Sequence, residues 1–403
     1  MTLTCTACKA TYTPHQLQTV CRKCGQPLRA DYFFRPKQLA TDDLGTLPSL
    51  WRYHPFLPSI AESHRISLGE ANTPLGVYDY RECKVYLKDE TVNPTGSFKD
   101  RGMCLALSVA RVLGVKRVAL PSAGNAAIAA ATYALAGGLA CRVYLPETIP
   151  ETFITELQDS GAEVILVGKT IAEAGAAMAE QLDDDWFNVS TLKEPYRIEG
   201  KKTLGLEIAE QLGMSGPGRP GQPRRTISGE SGKADQTGLT SDQTEWDFPD
   251  VVVYPTGGGT GLIGIWKAFK ELLNLDWVRK PLPRMVAVQT EGCAPVVQAF
   301  QDGADTTTPW PNPYTRALGL NVPSPLGGAW MLSILKESRG TALAVPEADI
   351  TTAQKRLAEI SGIPAGPEAA VAWRGMEVLM EKGWIKESER VVVVVTGDNR
   401  RYG

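Results

Sequence analysis

Lys99 stands in the run Asn93-Pro94-Thr95-Gly96-Ser97-Phe98-Lys99-Asp100-Arg101-Gly102. A strand-like apolar stretch (Val85, Tyr86, Leu87) precedes it. A helix-like one (Met103, Leu105, Ala106, Val109, Ala110) follows, so the run reads as a turn feeding a helix. A lysine held at such a junction, at the mouth of a buried site, sheds its proton on desolvation and becomes a nucleophile towards an aldehyde. Taken alone, a lysine beside Asp100 and Arg101 is ordinarily a solvated surface charge. Two further loops bear on that choice. Ser122-Ala123-Gly124-Asn125-Ala126 joins a short strand to an alanine-dense helix. It offers a hydroxyl, an amide and helix N-terminal N–H groups suited to a carboxylate. Pro255-Thr256-Gly257-Gly258-Gly259-Thr260-Gly261 also joins strand to helix. Its glycines let backbone N–H groups converge on a phosphate, with the Thr260 hydroxyl beside them. By itself this loop fits a tight turn for close packing equally well, since it has neither Walker lysine spacing nor a GxGxxG pattern. A reactive lysine, a phosphate cradle and a carboxylate loop are together the parts that pyridoxal phosphate needs to act on an amino acid.

A second group of residues suits a metal. Cys5-x2-Cys8 and Cys21-x2-Cys24 lie twelve residues apart, and four thiolates so spaced close on one zinc ion. All four positions are then filled by protein, which makes the zinc structural. A redox CxxC or two disulfides are the competing readings, and neither suits a reducing compartment without a βαβ context. Cys83, Cys104, Cys141 and Cys293 sit in apolar segments and read as packed thiols. The three histidines are His15, His54 and His64, so a Ser-His-Asp triad or a histidine-rich metal centre is hard to build in the rest of the chain.

With 403 residues, 43% hydrophobic and 22% charged, the chain has the balance of a globular protein of roughly two to three domains. A net charge of −3 points to neither nucleic acid nor an acidic membrane as partner. No apolar run is long enough for a membrane span, and Met1 to Cys5 carry no signal-peptide pattern, so a cytoplasmic protein is expected. From residue 85 onward short apolar strands alternate with helices: strands at 118–120, 141–145, 163–167, 251–254 and 286–288, and helices at 126–136, 150–160, 171–182, 203–212, 262–273, 351–361 and 368–382. Val391 to Val395 form a five-valine run suited to the middle of a sheet covered on both faces. This is an α/β pattern of parallel units. Residues 214–247 are dominated by Gly, Pro, Ser, Thr, Gln and charges, and read as a mobile surface insertion or, alternatively, a functional lid.

The lysine run resembles the Schiff-base signature of fold-type II pyridoxal-phosphate enzymes, in the form typical of threonine synthases. The resemblance extends to Ser122 to Ala126, to Pro195-x-Arg197-x-Glu199-Gly200-x-Lys202-Thr203, to Thr256 to Gly261 and, more loosely, to Val391 to Asp398. It implies a tryptophan-synthase-β-like fold of two open α/β domains with an N-terminal zinc ribbon. The units would be a ribbon at 1–30, a wrap and the start of the large domain at 31–85, a small α/β domain at 86–200 and a large cofactor-binding domain at 201–403. Carried over by position, Lys99 becomes the cofactor-bearing lysine and main acid/base, and Asn125 the partner of the cofactor's phenolic oxygen. Gly257, Gly258, Gly259 and Thr260 become its phosphate cradle. Thr396 becomes the neutral partner of the pyridine nitrogen, which suits elimination and replacement better than transamination; on its own it reads as a strand-end turn residue. Ser122 would face the substrate, and Asn188, Arg197 and Lys202 would hold a substrate phosphate; on spacing alone these three read equally as capping and surface-charge residues. The expected reaction is O-phosphohomoserine plus water to threonine plus phosphate, in a homodimer with pyridoxal 5'-phosphate and structural Zn2+. The family usually reads Ser-Thr-Gly-Asn-Thr in the second loop, where this chain has Ala123 and Ala126. The tail, Gly397 to Tyr402, also departs from the family's small, glycine-rich ending. The alternatives are a pyridoxal-phosphate lyase or dehydratase on serine, threonine or another β-substituted amino acid, and a catalytically idle, metal-stabilised interaction protein.

Overall fold

The computed structural model describes residues 1–214 and 246–400. The insertion at 214–247 therefore lies, from 215 to 245, outside the described residues. A small antiparallel sheet opens the chain: β1 (Thr2–Cys5), β2 (Thr11–Tyr12) and β3 (Leu28–Asp31), in the order β2-β1-β3. An irregular segment leads to the hairpin β4 (Leu75–Tyr80) and β5 (Cys83–Asp89), and then to α1 (Lys99–Val112). Next come β6 (Arg117–Pro121), α2 (Asn125–Gly137), β7 (Ala140–Leu145), α3 (Glu151–Asp159), β8 (Ala162–Leu166), α4 (Ile171–Gln181) and β9 (Trp186–Asn188). Their strands form a parallel sheet in the order β8-β7-β6-β9. The helix α5 (Tyr196–Met214) follows. The second half runs β10 (Val251–Pro255), α6 (Thr260–Asn274), β11 (Arg284–Thr290), α7 (Pro295–Gln301), α8 (Gly328–Glu337), β12 (Thr341–Val345), α9 (Ile350–Ser361), α10 (Pro367–Glu381) and β13 (Val391–Val395).

The larger sheet has the order β12-β11-β10-β13-β5-β4 and is parallel except for the edge strand β4. The five-valine strand β13 lies between β10 and β5, and all five side chains are buried. That is the environment an uninterrupted β-branched run requires. The sheet draws β5 from early in the chain, so the expected boundary at residue 86 falls inside a strand. The boundary expected at 200 falls inside α5 in the same way.

One helix departs markedly from expectation. The pattern suggests a start near 203, whereas α5 begins at Tyr196. Glu194 accepts hydrogen bonds from the N–H groups of Tyr196 (2.6 Å) and Arg197 (3.1 Å), which serves the free amides of a helix start. The first turns carry Arg197, Glu199, Lys201 and Lys202, all buried, so a core helix looks like a charged loop in sequence. Glycines let it lie close to its neighbours. A Cβ on Gly200 would collide with the Arg101 carbonyl of α1, and one on Gly264 of α6 would reach the Lys201 carbonyl carbon at 2.9 Å.

Both parallel sheets deliver their loops to one place. Lys99 follows β5, the glycine loop follows β10 and Thr396 follows β13, three adjacent strands. The Ser122 loop follows β6 and Asn188 ends the neighbouring β9. Ligands of open α/β sheets bind beyond such carboxyl ends.

Candidate active site

The turn before Lys99 is fixed from both sides. Asn93 donates its amide to the Glu90 carbonyl (3.0 Å) and carboxylate (2.9 Å), while its Oδ1 accepts from the Ala71 N–H (3.0 Å). Gly96 has φ +78, and a Cβ there would strike the Asp398 carboxylate, so glycine is required twice over. Asp100 accepts from the Thr95 N–H at 2.7 Å and from its hydroxyl. Burial pushes the Asp100 carboxyl up to about 7. Arg101 fans out to Glu90 (2.6 Å), to Glu207 (2.8 Å) and to the hydroxyls of Thr73 and Thr203, and Lys88 joins Glu207 at 2.8 Å. Burial alone would raise the Glu207 carboxyl, but Arg101 and Lys88 outweigh it and hold it below the ordinary carboxylate range.

Lys99 emerges from this frame partly exposed, its Nζ 4.2 Å from the Phe98 ring centroid. Burial of the amine, reinforced by the Arg197 charge and opposed by Glu368, lowers it to about 8. The Phe98 N–H donates to the Thr396 carbonyl (3.0 Å), and Ser97 bridges to Gly397. A Cβ on Gly397 would sit 3.2 Å from Asn125 Nδ2. Lys99, Asn125 and Thr396 therefore belong to loops in mutual contact. The glycine loop is packed from behind: a Cβ on Gly257 would reach the Gly319 carbonyl at 2.5 Å, one on Gly258 would reach Thr191 Cγ2 at 3.0 Å, and one on Gly259 would collide with Met331. Gly259 also has φ +73 as it leads into α6. Close packing and a cradle of amides at a helix N-terminus thus coexist in this loop. The Ser122 loop differs: its residues 121–125 are partly exposed, and a Cβ on Gly124 would meet nothing within 4 Å.

The residues expected at a substrate phosphate separate. Asn188 Oδ1 accepts from the Ser190 N–H (2.9 Å), a local turn at the end of β9. Arg197 donates Nη1 to the Val189 carbonyl (2.7 Å), while its Nε and Nη2 are buried without a hydrogen-bond partner. Lys202 turns away from the site. Its Nζ meets the Phe56 carbonyl (2.5 Å), Glu199 (2.8 Å) and Glu271 (2.9 Å), and lies 4.0 Å from the Tyr32 ring centroid. Helical phase explains this correction: adjacent residues point about 100° apart, so Lys201 faces the site instead. Lys201 Nζ donates to Thr260 Oγ1 at 2.6 Å and lies 4.9 Å from the Phe98 ring centroid. Sequence reasoning passed over Lys201 because the start of α5, and hence its phase, was hidden.

At the N-terminus the four Sγ atoms of Cys5, Cys8, Cys21 and Cys24 lie within 4.8 Å of one another, and none is in a disulfide. Around a zinc ion with Zn–S near 2.3 Å the tetrahedral edge is about 3.8 Å, and the contacts of 3.4 Å (Cys5 to Cys24) and 3.5 Å (Cys8 to Cys21) suit such a cage. The other four cysteines are buried, as expected.

With this geometry in place, kinship is informative. A family model for pyridoxal-phosphate dependent enzymes matches residues 66–228 and 231–397. A threonine synthase of Methanosarcina acetivorans is 32% identical over 402 residues, covering 98% of this chain and 91% of the relative. The chain belongs to the threonine synthase family of pyridoxal-phosphate-dependent enzymes. A threonine synthase of Methanocaldococcus jannaschii is 31% identical with the same coverage. Among solved structures, the processed form of threonine deaminase isoform 2 from Solanum lycopersicum aligns with TM-score 0.65 at 21% identity, over 91% of this chain and 92% of that one. That likeness is one of fold, fold-type II. Among the described residues no helix is long and apolar enough to cross a membrane.

The lowered Lys99 amine gives a testable pH dependence. Only the neutral amine attacks an aldehyde, so cofactor-free protein should take up pyridoxal phosphate faster as pH rises, levelling off above about pH 8. Stopped-flow absorbance measures this rate. A rate still climbing about tenfold per pH unit through pH 9, as for a solvated lysine, would contradict the desolvated state of Lys99.

Proposed function

We propose that this chain is a threonine synthase in the full sense, converting O-phosphohomoserine and water to threonine and phosphate. The observation that carries the reading is Arg197, whose guanidinium is buried with two nitrogens unpartnered and close enough to Lys99 to bear on its charge. A lyase acting on serine or threonine needs a carboxylate site and a cofactor phosphate cradle. A further buried cation with free donors suits a substrate that brings its own phosphate. Ala126 is buried in the core around α2 and Ala123 packs at its rim, which favours reading both alanines as packing changes.

The residues fit pyridoxal phosphate: a lysine with a lowered pKa, a glycine cradle closed from behind, and buried cations with free donors. Bound there, the cofactor supplies the electron sink for elimination and replacement. Lys99, its amine lowered to about 8 by burial, takes a proton from the substrate carbon and returns one. Asn125 and Thr396 orient the ring with neutral groups, and Gly257, Gly258, Gly259 and Thr260 hold the phosphate. Ser122 and its open loop receive the substrate carboxylate, while Arg197, with Asn188 at the rim, takes the substrate phosphate. In this reading the chain acts as a cytoplasmic homodimer.

The test is an assay of the purified protein with O-phosphohomoserine, following threonine and phosphate by mass spectrometry, with L-serine and L-threonine in parallel. Threonine and phosphate are expected from the wild type, and Arg197→Met should lower kcat/KM for the phosphorylated substrate by roughly ten- to hundredfold. Oxo acid from serine or threonine, with no reaction of the phosphorylated substrate, would replace the synthase by a lyase.

We also assign one structural zinc ion to Cys5, Cys8, Cys21 and Cys24. Leu3, Leu28 and Ala30 of the ribbon share a core cluster with α1 and α2. Chelation should therefore lower the melting temperature and loosen residues 1–30 while the still-folded enzyme keeps turning over. Immediate loss of turnover in intact protein would overturn the structural role.

A further inference from the structure

The buried Lys and Arg side chains of the described residues are Lys88, Arg101, Arg197, Lys201 and Lys202. Lys88, Arg101 and Lys202 each touch carboxylates. Among the described residues Arg197 and Lys201 form no ion pair, only the buried Glu194 carboxyl acting on both through space, and Lys201 Nζ donates to the Thr260 hydroxyl at 2.6 Å. A buried cation without an ion-pair partner is costly, and this chain compensates Lys88, Arg101 and Lys202 directly. Lys201 therefore waits for an anion. Its position selects which one. Thr260 opens α6 directly after Gly257, Gly258 and Gly259, so Lys201 stands at the lip of the amide cradle. Arg197 lies four residues earlier on α5, on the same face and about 6 Å away along the axis. Two cations in line along one helix face suit two separate anionic groups.

We propose that Lys201 is the fixed counter-ion of the cofactor phosphate, making the site select the phosphorylated form of its aldehyde cofactor and leaving Arg197 for a second anion. The inference rests on the pyridoxal-phosphate reading above and adds to it a specificity-determining residue. Lys201 neutralises phosphate charge that backbone amides and a hydroxyl can only solvate, and it fixes the side of the cradle from which the phosphate is held.

The test compares binding of pyridoxal 5'-phosphate with binding of pyridoxal, which lacks the phosphate, to cofactor-free full-length protein by absorbance titration. In Lys201→Met and Lys201→Gln the affinity for pyridoxal phosphate should fall roughly ten- to hundredfold, with that for pyridoxal changed less than about threefold. The melting temperature of the cofactor-free variants should equal or exceed that of the wild type, because each removes a buried amine that desolvation disfavours in its charged form. Lys201→Gln keeps a donor for Thr260 and serves if the Met variant fails to fold. A wild-type preference for the phosphorylated aldehyde in Lys201→Gln would overturn the proposal, as would equal losses for both aldehydes. Failure of the underlying reading looks different: the wild-type chain would then bind neither aldehyde.

Discussion

Replacing Lys99 by alanine should lower turnover of O-phosphohomoserine by at least about 10³-fold and leave the fold intact. Burial lowers the amine to about 8, so its removal takes away a group that is disfavoured in charged form. Its neighbours are held independently: Asp100 by Thr95, Arg101 by Glu90 and Glu207, and Phe98 by the Thr396 carbonyl. The variant should therefore show an unchanged melting temperature and circular dichroism, and should lose the absorption band of lysine-bound cofactor. Unchanged activity in Lys99→Ala would end the assignment of this lysine. A wild-type protein without such a band would revive the idle, metal-stabilised alternative.

The second large effect is on stability. Arg101→Ala should cost about 3–5 kcal/mol, because it leaves Glu90 and Glu207 buried without their principal cation. Glu207 would retain Lys88, while Glu90 would retain only Asn93 and the Thr73 hydroxyl. Urea unfolding of cofactor-free protein measures the change, with the midpoint shift read at constant slope. Because Asn93 and Thr73 also position the lysine turn, the variant should lose cofactor affinity under conditions where it remains folded. A loss below about 1 kcal/mol, well short of the range for a broken buried ion pair, would mean that the turn is held by packing alone.

The parts of the molecule that were legible in sequence are those whose cues are local. The valine run of β13, the Gly-rich junction before α6 and the lysine turn before α1 each announce themselves within ten residues. The two CxxC pairs needed only a spacing argument, and the structure brings their four sulfurs together. What could not be read depends on long-range pairing. Glu207 lies 106 residues from Arg101 and 119 from Lys88, so nothing near any of them reveals a shared site. The same applies to Glu271, 69 residues from Lys202, which together with Glu199 one helical turn away claims Lys202 and removes it from the active-site face. Hydropathy treated the first turns of α5 as surface because their charges are visible in sequence and their compensation is not. The expected limit at residue 86 cuts β5 for a related reason: that strand pairs with β13 from the end of the chain, a sheet neighbour no local pattern names.

The packing of α5 has an evolutionary consequence. From Tyr196 to Ala209 every residue is buried. One face carries Arg197 and Lys201, another the Lys202 cluster, and the glycine contacts at Gly200 and Gly264 admit no side chain. Such a helix has no side on which neutral substitutions can accumulate. Although among the most charged segments of the chain, it should drift as slowly as a catalytic loop.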